Sequence, residues 1–375
     1  MANKKSKKKK KKKLLIFGLE ILLLIILLVV VYVWSIVGKI HIESMSDEEA
    51  GVNTDLDAET LEILEGYTNI ALFGLDNRGS DNYSSGNSDS IMIVSINNDT
   101  KEIKIVSVFR DTYLSVGDGK YRKANSAYAT GGATQAVQML NSNLDLNISA
   151  YVSVDWKALV EAIDALGGID IELTNAELDP MNMYIPEIDA MTGYSTSPVT
   201  SAGLTHLNGT QATAYTRVRY TAGDDFKRAS RQRIVLQAML DKAKQSNVGT
   251  LIEICNEVFD DIYTSLELKD IIALAKDVKQ YEIVSTTGFP FALTTADLSG
   301  AGDSVVAAEL SNNVSDLHTY MFGVENYVPS TTVQQISDTI VTKSGVTKDS
   351  ATVDISTYNN TVGQNGTEFK SQEEQ

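Results

Sequence analysis

Residues 151–173 read YVSVDWKALVEAIDALGGIDIEL and decide the fold class of this chain. The alternation of YVSVD predicts a strand, and WKALVEAIDA has the apolar spacing of a helix, which the glycines at 167 and 168 end. IDIEL at 169–173 then predicts a second strand. Strands that alternate with helices along a chain pack as layers, so this stretch predicts an α/β domain.

Short β-rich segments upstream extend the predicted sheet. NIALFGLD occupies residues 69–76, SIMIVSIN residues 90–97 and EIKIVSVFR residues 102–110. A polar NDTK turn separates the last two, which predicts an antiparallel hairpin. Downstream, residues 179–204 form a long polar segment, which we interpret as a mobile loop that borders a site.

The charge distribution excludes one large class of partner. The formal net charge is -17, although nine lysines lie in the first 13 residues, which hold no acid. The remainder carries 23 basic and 49 acidic residues. An exterior this acidic repels nucleic acid, so nucleic-acid binding is disfavoured and a phosphate ligand would need a local pocket.

The N-terminus predicts a membrane anchor. Residues 14–37 are almost wholly apolar, with Glu20 as their only charge. At ~1.5 Å per residue such a helix reaches ~36 Å, which is enough to cross a lipid bilayer with some tilt. The basic tail, residues 1–13, should stay in the cytoplasm, which places the following domain outside the cell. A cleaved signal peptide is the alternative, but its apolar core would be shorter.

Composition also predicts the domain boundaries. Residues 38–65 are acidic and poor in large apolar side chains, which favours a juxtamembrane spacer. Residues 66–329 are long enough for one large extracellular domain. Residues 330–375 form a polar C-terminal tail, for which we predict disorder.

Two acids at strand ends predict a metal site. Asp76 ends the first predicted strand and Asp89 begins the second, so both carboxylates can meet at one edge of the sheet. Paired carboxylates near arginines favour Mg²⁺, with Mn²⁺ as a substitute. The alternative is that Asp76 only caps a turn.

The arginines predict an anion site. All eight lie between Arg78 and Arg233, and the guanidinium group binds phosphate through paired hydrogen bonds. The candidates for this site follow a predicted strand or lie in and before a predicted helix: Arg110 and Asp111, Arg217 and Arg219, and Arg228 with Gln232. A solvated charged face is the alternative, and we assign Arg231 and Arg233 to such surface pairing.

These segments together resemble the LytR-CpsA-Psr proteins of Gram-positive-type cell envelopes. The resemblance runs from about Tyr67 to Val328 behind a basic tail and one anchor. It comprises, in order, NIALFGLD, SDSIMIVSIN, IKIVSVFRDTYL, KANSAYATGG, YVSVDWKALVEAIDALGGIDIEL, LNGTQATAYTRVRY and DDFKRASRQRIVL.

The resemblance implies a three-layer α/β/α sandwich around a mixed sheet, which binds polyprenyl pyrophosphate in an apolar tunnel. It implies that Asp76 and Asp89 hold Mg²⁺. The implied phosphate ligands are Arg110, Arg217, Arg219, Arg228 and Gln232. Members often carry arginine where this chain has Asn87, which weakens one phosphate contact unless Arg78 or Lys123 supplies it.

The implied reaction transfers a lipid-linked glycopolymer, of teichoic acid or capsule type, to peptidoglycan. A sugar hydroxyl attacks the phosphorus nearest the glycan and polyprenyl phosphate leaves. Arg110, Asp89 and Asp111 are the candidates for the catalytic step, and either acid can accept the hydroxyl proton. A non-catalytic polyprenyl-phosphate binder and a polyprenyl-pyrophosphate phosphatase remain the alternatives.

Overall fold

The structure is a computed structural model that describes residues 41–76, 86–219, 224–246 and 262–355. The predicted anchor at 14–37 and Arg78 lie outside these residues. Within them, no helix combines the length and the apolar character that crossing a membrane requires.

A mixed sheet of seven strands forms the centre of the described chain. In spatial order the strands are β1 (His41–Ile42), β10 (Ile262–Thr264), β7 (Ala150–Asp155), β2 (Tyr67–Leu75), β3 (Ser88–Asn97), β4 (Glu102–Val108) and β11 (Glu282–Phe289). β7 runs parallel to β2, whereas β3 is antiparallel to both β2 and β4. The predicted hairpin and the mixed α/β fold are thus confirmed.

Helices and three small sheets surround the centre. The helices are α1 (Asp47–Ala50), α2 (Ala58–Glu65), α3 (Asn125–Leu144), α4 (Trp156–Ala165), α5 (Asn175–Thr192), α6 (Gly209–Arg217), α7 (Asp224–Gln245), α8 (Leu268–Lys276), α9 (Leu310–Phe322) and α10 (Thr331–Ser344). The small sheets pair β5 (Tyr113–Gly117) with β6 (Lys120–Lys123), β8 (Ile169–Leu173) with β9 (Gly203–Leu207), and β12 (Ala292–Leu298) with β13 (Gly302–Ala307) and β14 (Val353–Asp354).

Helices cover both faces of the central sheet because its strands are apolar on both sides. Phe73 and Ile93 point to one face, where they join a core built with α3, α9 and α10. Their neighbours Ile70 and Met92 point to the other face, where Leu236 of α7 packs against them. Successive side chains of a strand alternate between faces, so a strand buried on both sides reads as a continuous apolar segment.

The predicted juxtamembrane spacer is wrong from His41 onward. β1 pairs with β10 at the sheet edge, and α1 and α2 follow as folded helices. Ala50 and Leu64 are 2% and 0% exposed within the main core. The acids of this segment whose exposure is described lie on exposed positions, and some of them cap helices, as Asp57 does for α2. The polar residues that lower the mean hydropathy of this segment therefore lie on its solvent-exposed face, whereas its apolar residues pack into the core.

The predicted disordered tail is wrong up to Ile355, and residues 356–375 lie outside the described part. Ser330 caps α10, whose Val333 and Ile340 are buried in the main core. The buried Asp145 joins this end of the domain to the N-terminal segment. It accepts hydrogen bonds from Asn53 Nδ2 at 2.6 Å, from Ser330 Oγ at 2.6 Å and from the Ser330 amide at 2.7 Å.

The predicted loop at 179–204 is also wrong in its first half, which belongs to α5. Glu177 and Thr174 form a capping box at the start of this helix. Met181, Ile185 and Ile188 are buried at helical spacing. Two prolines inside the helix, at 180 and 186, make the sequence read as irregular.

Candidate active site

Neighbouring strand ends bring the predicted acids to one cavity. β2 and β7 run parallel with Leu75 opposite Asp155, so the next residues, Asp76 and Trp156, leave the sheet side by side. Asp89 is the second residue of β3, which pairs with β2 at this edge. Asp76 and Asp89 both line a cavity of about 210 Å³.

Six predicted site residues line this cavity together. Among the described residues its lining consists of Asp76, Asp89, Trp156, Tyr184, Glu187, Arg217, Arg219, Arg228 and Gln232. A smaller cavity of about 40 Å³ adjoins it and shares Asp89, Arg228 and Gln232. Arg110 and Asp111 line the smaller cavity. The two adjoining cavities are therefore lined by predicted site residues from both halves of the sequence.

Arg110 is the cation that the acids of the site surround. Its Nη1 lies 2.7 Å from Asp89 Oδ1, its Nε 3.3 Å from Asp111 Oδ2, and its Nη2 3.6 Å from Asp225 Oδ2. Burial opposes the charged form, but the attraction of the three carboxylates outweighs it and raises the pKa of Arg110. This guanidinium is therefore a permanent positive charge.

Arg219 and Arg228 contact two of the acids that surround Arg110. Arg219 contacts Asp89 at 3.8 Å and Asp225 at 3.6 Å, and Arg228 contacts Asp225 at 3.2 Å. Burial lowers the pKa of Arg228 to about 10, with Arg110 and Arg219 adding repulsion and Asp225 opposing it. Arg228 remains charged at neutral pH, and an additional anion beside it would stabilise this charge.

Arg217 is held between two aromatic rings. Its guanidinium carbon lies 5.1 Å from the ring centroid of Trp156 and 4.8 Å from that of Tyr184, and its Nη2 lies 3.2 Å from Glu187. α6 ends at Arg217, and the backbone is no longer helical at Val218. Because of this helix end, Arg217 and Arg219 face the same cavity instead of diverging as they would on a continuous helix.

The structure places other predicted residues differently. Lys123 is absent from the described lining of both cavities, and its Nζ lies 3.0 Å from Asp111, so it orients that acid. Asn87 is exposed. The assignment of Arg231 and Arg233 to the surface is wrong, because they are 4% and 1% exposed.

Arg231 is part of the support of the site. Its Nε donates to Glu177 Oε1 at 2.8 Å, and its Nη1 donates to the Val218 carbonyl at 3.1 Å. Val218 lies between the two cavity arginines at 217 and 219. Burial lowers the pKa of Arg233 to about 10, and Tyr320 opposes this shift. α7 packs against the sheet and against the α5 to α6 region, so its polar side chains are buried on several sides.

Three lining residues were not predicted from the sequence, namely Trp156, Tyr184 and Glu187. Trp156 follows a strand, which is a position where ligand sites gather. The other two lie in the segment that was expected to border a site, but as a loop and not as a helix. Asp225, which was not among the predicted site residues, contacts three arginines.

The oxygen donors at the cavity fit a hard divalent cation. Asp76 and Asp89 contribute carboxylates, and Mg²⁺ commonly binds through one or two carboxylates together with phosphate oxygens and water. The described residues contain no group of three or more His, Cys, Asp or Glu side chains suited to a metal ion. A cation here would thus depend on ligand oxygens to complete its coordination.

Comparison with known proteins agrees with this geometry. The profile of the LytR_cpsA_psr family matches residues 35–316. The chain belongs to the LytR-CpsA-Psr family. A relative, the polyisoprenyl-teichoic acid–peptidoglycan teichoic acid transferase TagU of Enterococcus faecalis, is 32% identical over 215 residues, which cover 56% of this chain and just 65% of that protein. The transferase of the same name from Bacillus mycoides is 30% identical over 256 residues, with 66% and 78% of the two chains covered.

Solved LytR-CpsA-Psr structures share the fold. The family protein YwtF (TagT), solved with bound octaprenyl pyrophosphate lipid, is 23% identical and aligns with a TM-score of 0.53 over 75% of this chain and 100% of that one. A Streptococcus agalactiae protein is 26% identical with a TM-score of 0.59, covering 74% and 95% of the two chains. These alignments confirm the mixed α/β fold with its central mixed sheet.

Proposed function

We propose that this protein is a membrane-anchored phosphotransferase that moves a polyprenyl-pyrophosphate-linked glycopolymer onto a peptidoglycan sugar hydroxyl and releases polyprenyl phosphate. The observation that carries the proposal is the joining of four arginines and two strand-end acids around two adjoining cavities. The named activity of its TagU relatives supports the same chemistry.

The arginines would bind the pyrophosphate. Arg110, Arg219 and Arg228 are now neutralised in common by Asp89 and Asp225. A pyrophosphate offers more charge and more acceptor oxygens than these shared carboxylates, so it would draw the guanidinium groups toward itself. Arg217 enters the site already oriented by its aromatic neighbours. Fixed cations in a shielded cavity stabilise the charge that develops on phosphoryl oxygens in the transition state.

Asp76 and Asp89 would hold Mg²⁺ or Mn²⁺. The bound cation would neutralise charge on the phosphoryl oxygens. Asp89 lines both cavities, whereas Asp111 lines only the smaller one and contacts both Lys123 and Arg110. Each acid lines a cavity and contacts Arg110, and either can accept the proton of the attacking hydroxyl.

Residues 14–37 would anchor the enzyme in the cell membrane, with residues 1–13 in the cytoplasm and the catalytic domain outside. Anchoring confines the enzyme to the plane of its lipid-linked donor and raises the effective concentration of that donor. Protease added to intact cells should therefore remove the domain. Protection of the domain, or a mature N-terminus beyond Trp34, would contradict this topology.

Product analysis distinguishes the proposed reaction from its alternatives. The full-length protein in detergent micelles is incubated with a polyprenyl-pyrophosphate-linked glycan, peptidoglycan and Mg²⁺. A transferase gives glycan covalently bound to peptidoglycan, a phosphatase gives free phosphorylated glycan, and a binding protein gives neither. Free glycan as the main product in the presence of excess peptidoglycan would refute the transferase assignment.

A further inference from the structure

Trp156 contacts both an acid and an arginine of the site. It is the first residue of α4, directly after β7 ends, and it is only 7% exposed. On one side its Nε1–H donates to Asp76 Oδ1 at 3.3 Å. On the other side the Arg217 guanidinium lies over its ring, 5.1 Å from the centroid.

The backbone fixes where this indole can lie. The parallel register that places Leu75 opposite Asp155 makes Asp76 and Trp156 neighbours. Asp155 then caps α4 by accepting from the Ala158 amide at 2.8 Å, which fixes the first turn of the helix and its leading residue. The sheet register and the start of α4 thus set the position of the ring, and the Asp76 carboxylate and the Arg217 guanidinium contact it there.

Each contact restricts a different group. The hydrogen bond to Oδ1 limits rotation of the Asp76 carboxylate and therefore limits the directions from which this acid can bind a cation. The stack against Trp156 and Tyr184 limits tilting of the Arg217 fork, whose outer edge Glu187 binds. One rigid side chain therefore fixes the relative placement of an acid and an arginine.

We propose that Trp156 is a positioning residue that couples the cation-binding acid Asp76 to the phosphate-binding Arg217. This inference rests on the proposed function, since it takes the ligands to be a divalent cation and a pyrophosphate. Both contacts have separate chemical origins. The N–H group donates a hydrogen bond to Asp76, and the ring face contacts the Arg217 guanidinium.

Two substitutions separate these contacts. Trp156→Phe keeps an aromatic face but removes the N–H, whereas Trp156→Leu removes both. With full-length protein in micelles, Mn²⁺ binding is measured by electron paramagnetic resonance, and binding of inorganic pyrophosphate without metal by calorimetry. We expect Trp156→Phe to weaken Mn²⁺ binding about five- to tenfold, the order of one ordinary hydrogen bond, and to leave pyrophosphate binding within about twofold. Trp156→Leu should weaken both.

The indole also serves as its own reporter. The chain has two tryptophans, and the second, Trp34, lies in the predicted anchor. In a Trp34→Phe background, the emission of Trp156 should change on adding pyrophosphate and change separately on adding Mn²⁺. Urea unfolding midpoints of the variants show whether a loss of binding merely reflects a weakened fold.

The outcomes distinguish this inference from the proposed function. If the wild type binds both ligands and Trp156→Phe behaves like the wild type toward Mn²⁺, the coupling role is refuted and the proposed function stands. If Trp156→Phe loses both ligands equally, the residue only packs the site and the inference is again refuted. If the wild type does not bind pyrophosphate, the proposed function fails and this inference fails with it.

Discussion

Replacing Arg231 by methionine should destabilise the domain, although this arginine is not expected to touch the ligand. Arg231 is 4% exposed and its partner Glu177 is 7% exposed. Methionine fills a similar volume but removes the donor that lies 2.8 Å from Glu177 and the donor that lies 3.1 Å from the Val218 carbonyl. A buried carboxylate then remains without its cation.

The expected loss in the free energy of unfolding depends on the hydrogen bonds that Glu177 retains in Arg231→Met. Breaking a buried ion pair by removing one partner costs about 3–5 kcal/mol. Glu177 Oε2 still accepts from the amide and hydroxyl of Thr174, so we expect the lower part of that range from the acid itself. The orphaned Val218 carbonyl adds about 1 kcal/mol. The two losses sum to about 4–5 kcal/mol, so with an m-value of about 3 kcal/mol/M the urea midpoint falls by roughly 1.3–1.7 M.

A double-mutant cycle tests the reasoning. Glu177→Gln keeps the helix cap but removes the charge, so Arg231→Met combined with Glu177→Gln should be more stable than Arg231→Met alone. Arg122→Met is the matched control, because Arg122 is exposed and its loss should change the free energy of unfolding by less than about 0.5 kcal/mol. Equal midpoints for Arg231→Met and Arg122→Met would refute the argument. So would strict additivity in the cycle.

Three further predictions concern the ligand, the metal and pH. Arg110→Ala should weaken polyprenyl-pyrophosphate binding by one to two decades, about 1.5–3 kcal/mol, whereas Arg122→Ala should not; equal losses would indicate a diffuse electrostatic surface. Transfer activity should require Mg²⁺ or Mn²⁺ and fall sharply in Asp89→Ala with the fold intact; undiminished turnover in chelator would remove the metal from the mechanism. Burial lowers the pKa of His318, so below pH ~6.5 the unfolded chain gains a proton that the folded chain resists. Unfolding free energy should then fall with decreasing pH, by at most about 1.4 kcal/mol per pH unit, and His318→Gln should reduce that slope.

The sequence could predict the centre of the fold because the relevant signals are local. β2, β3 and β4 are apolar on both faces, and the β3–β4 hairpin needs only a short polar turn. The acids and arginines at their ends follow from the same strand boundaries. The outer segments were misread because their burial depends on a few residues. Leu64 and Val333 are fully buried, yet the segments around them are mostly polar, so average composition indicates solvent exposure.

The residues that support the site could not be predicted from the sequence for a related reason. Arg228 and Arg231 are three residues apart on one helix, and spacing alone cannot tell which faces a cavity and which faces α5. Trp156 gave a signal only through its place after a strand. Its double contact depends on where α6 ends, since Arg217 is the last helical residue there. The next two residues are valine and arginine, so no glycine or proline directly after Arg217 marks that end point in the sequence.

The Asp145 hydrogen bonds have a practical consequence for making this protein. A fragment cut at the boundaries that composition suggests, residues 66–329, would lack Asn53 and Ser330. The Asp145 carboxylate that they share is 0% exposed, and it would lose three of its four described hydrogen-bond donors and keep only the Tyr327 hydroxyl. Such a fragment should express poorly or aggregate, whereas one that runs from His41 to Ile355 retains both ends. The shortest part of this chain that can be handled in isolation is therefore longer than its central sheet, because one acid connects the beginning of the domain to its end.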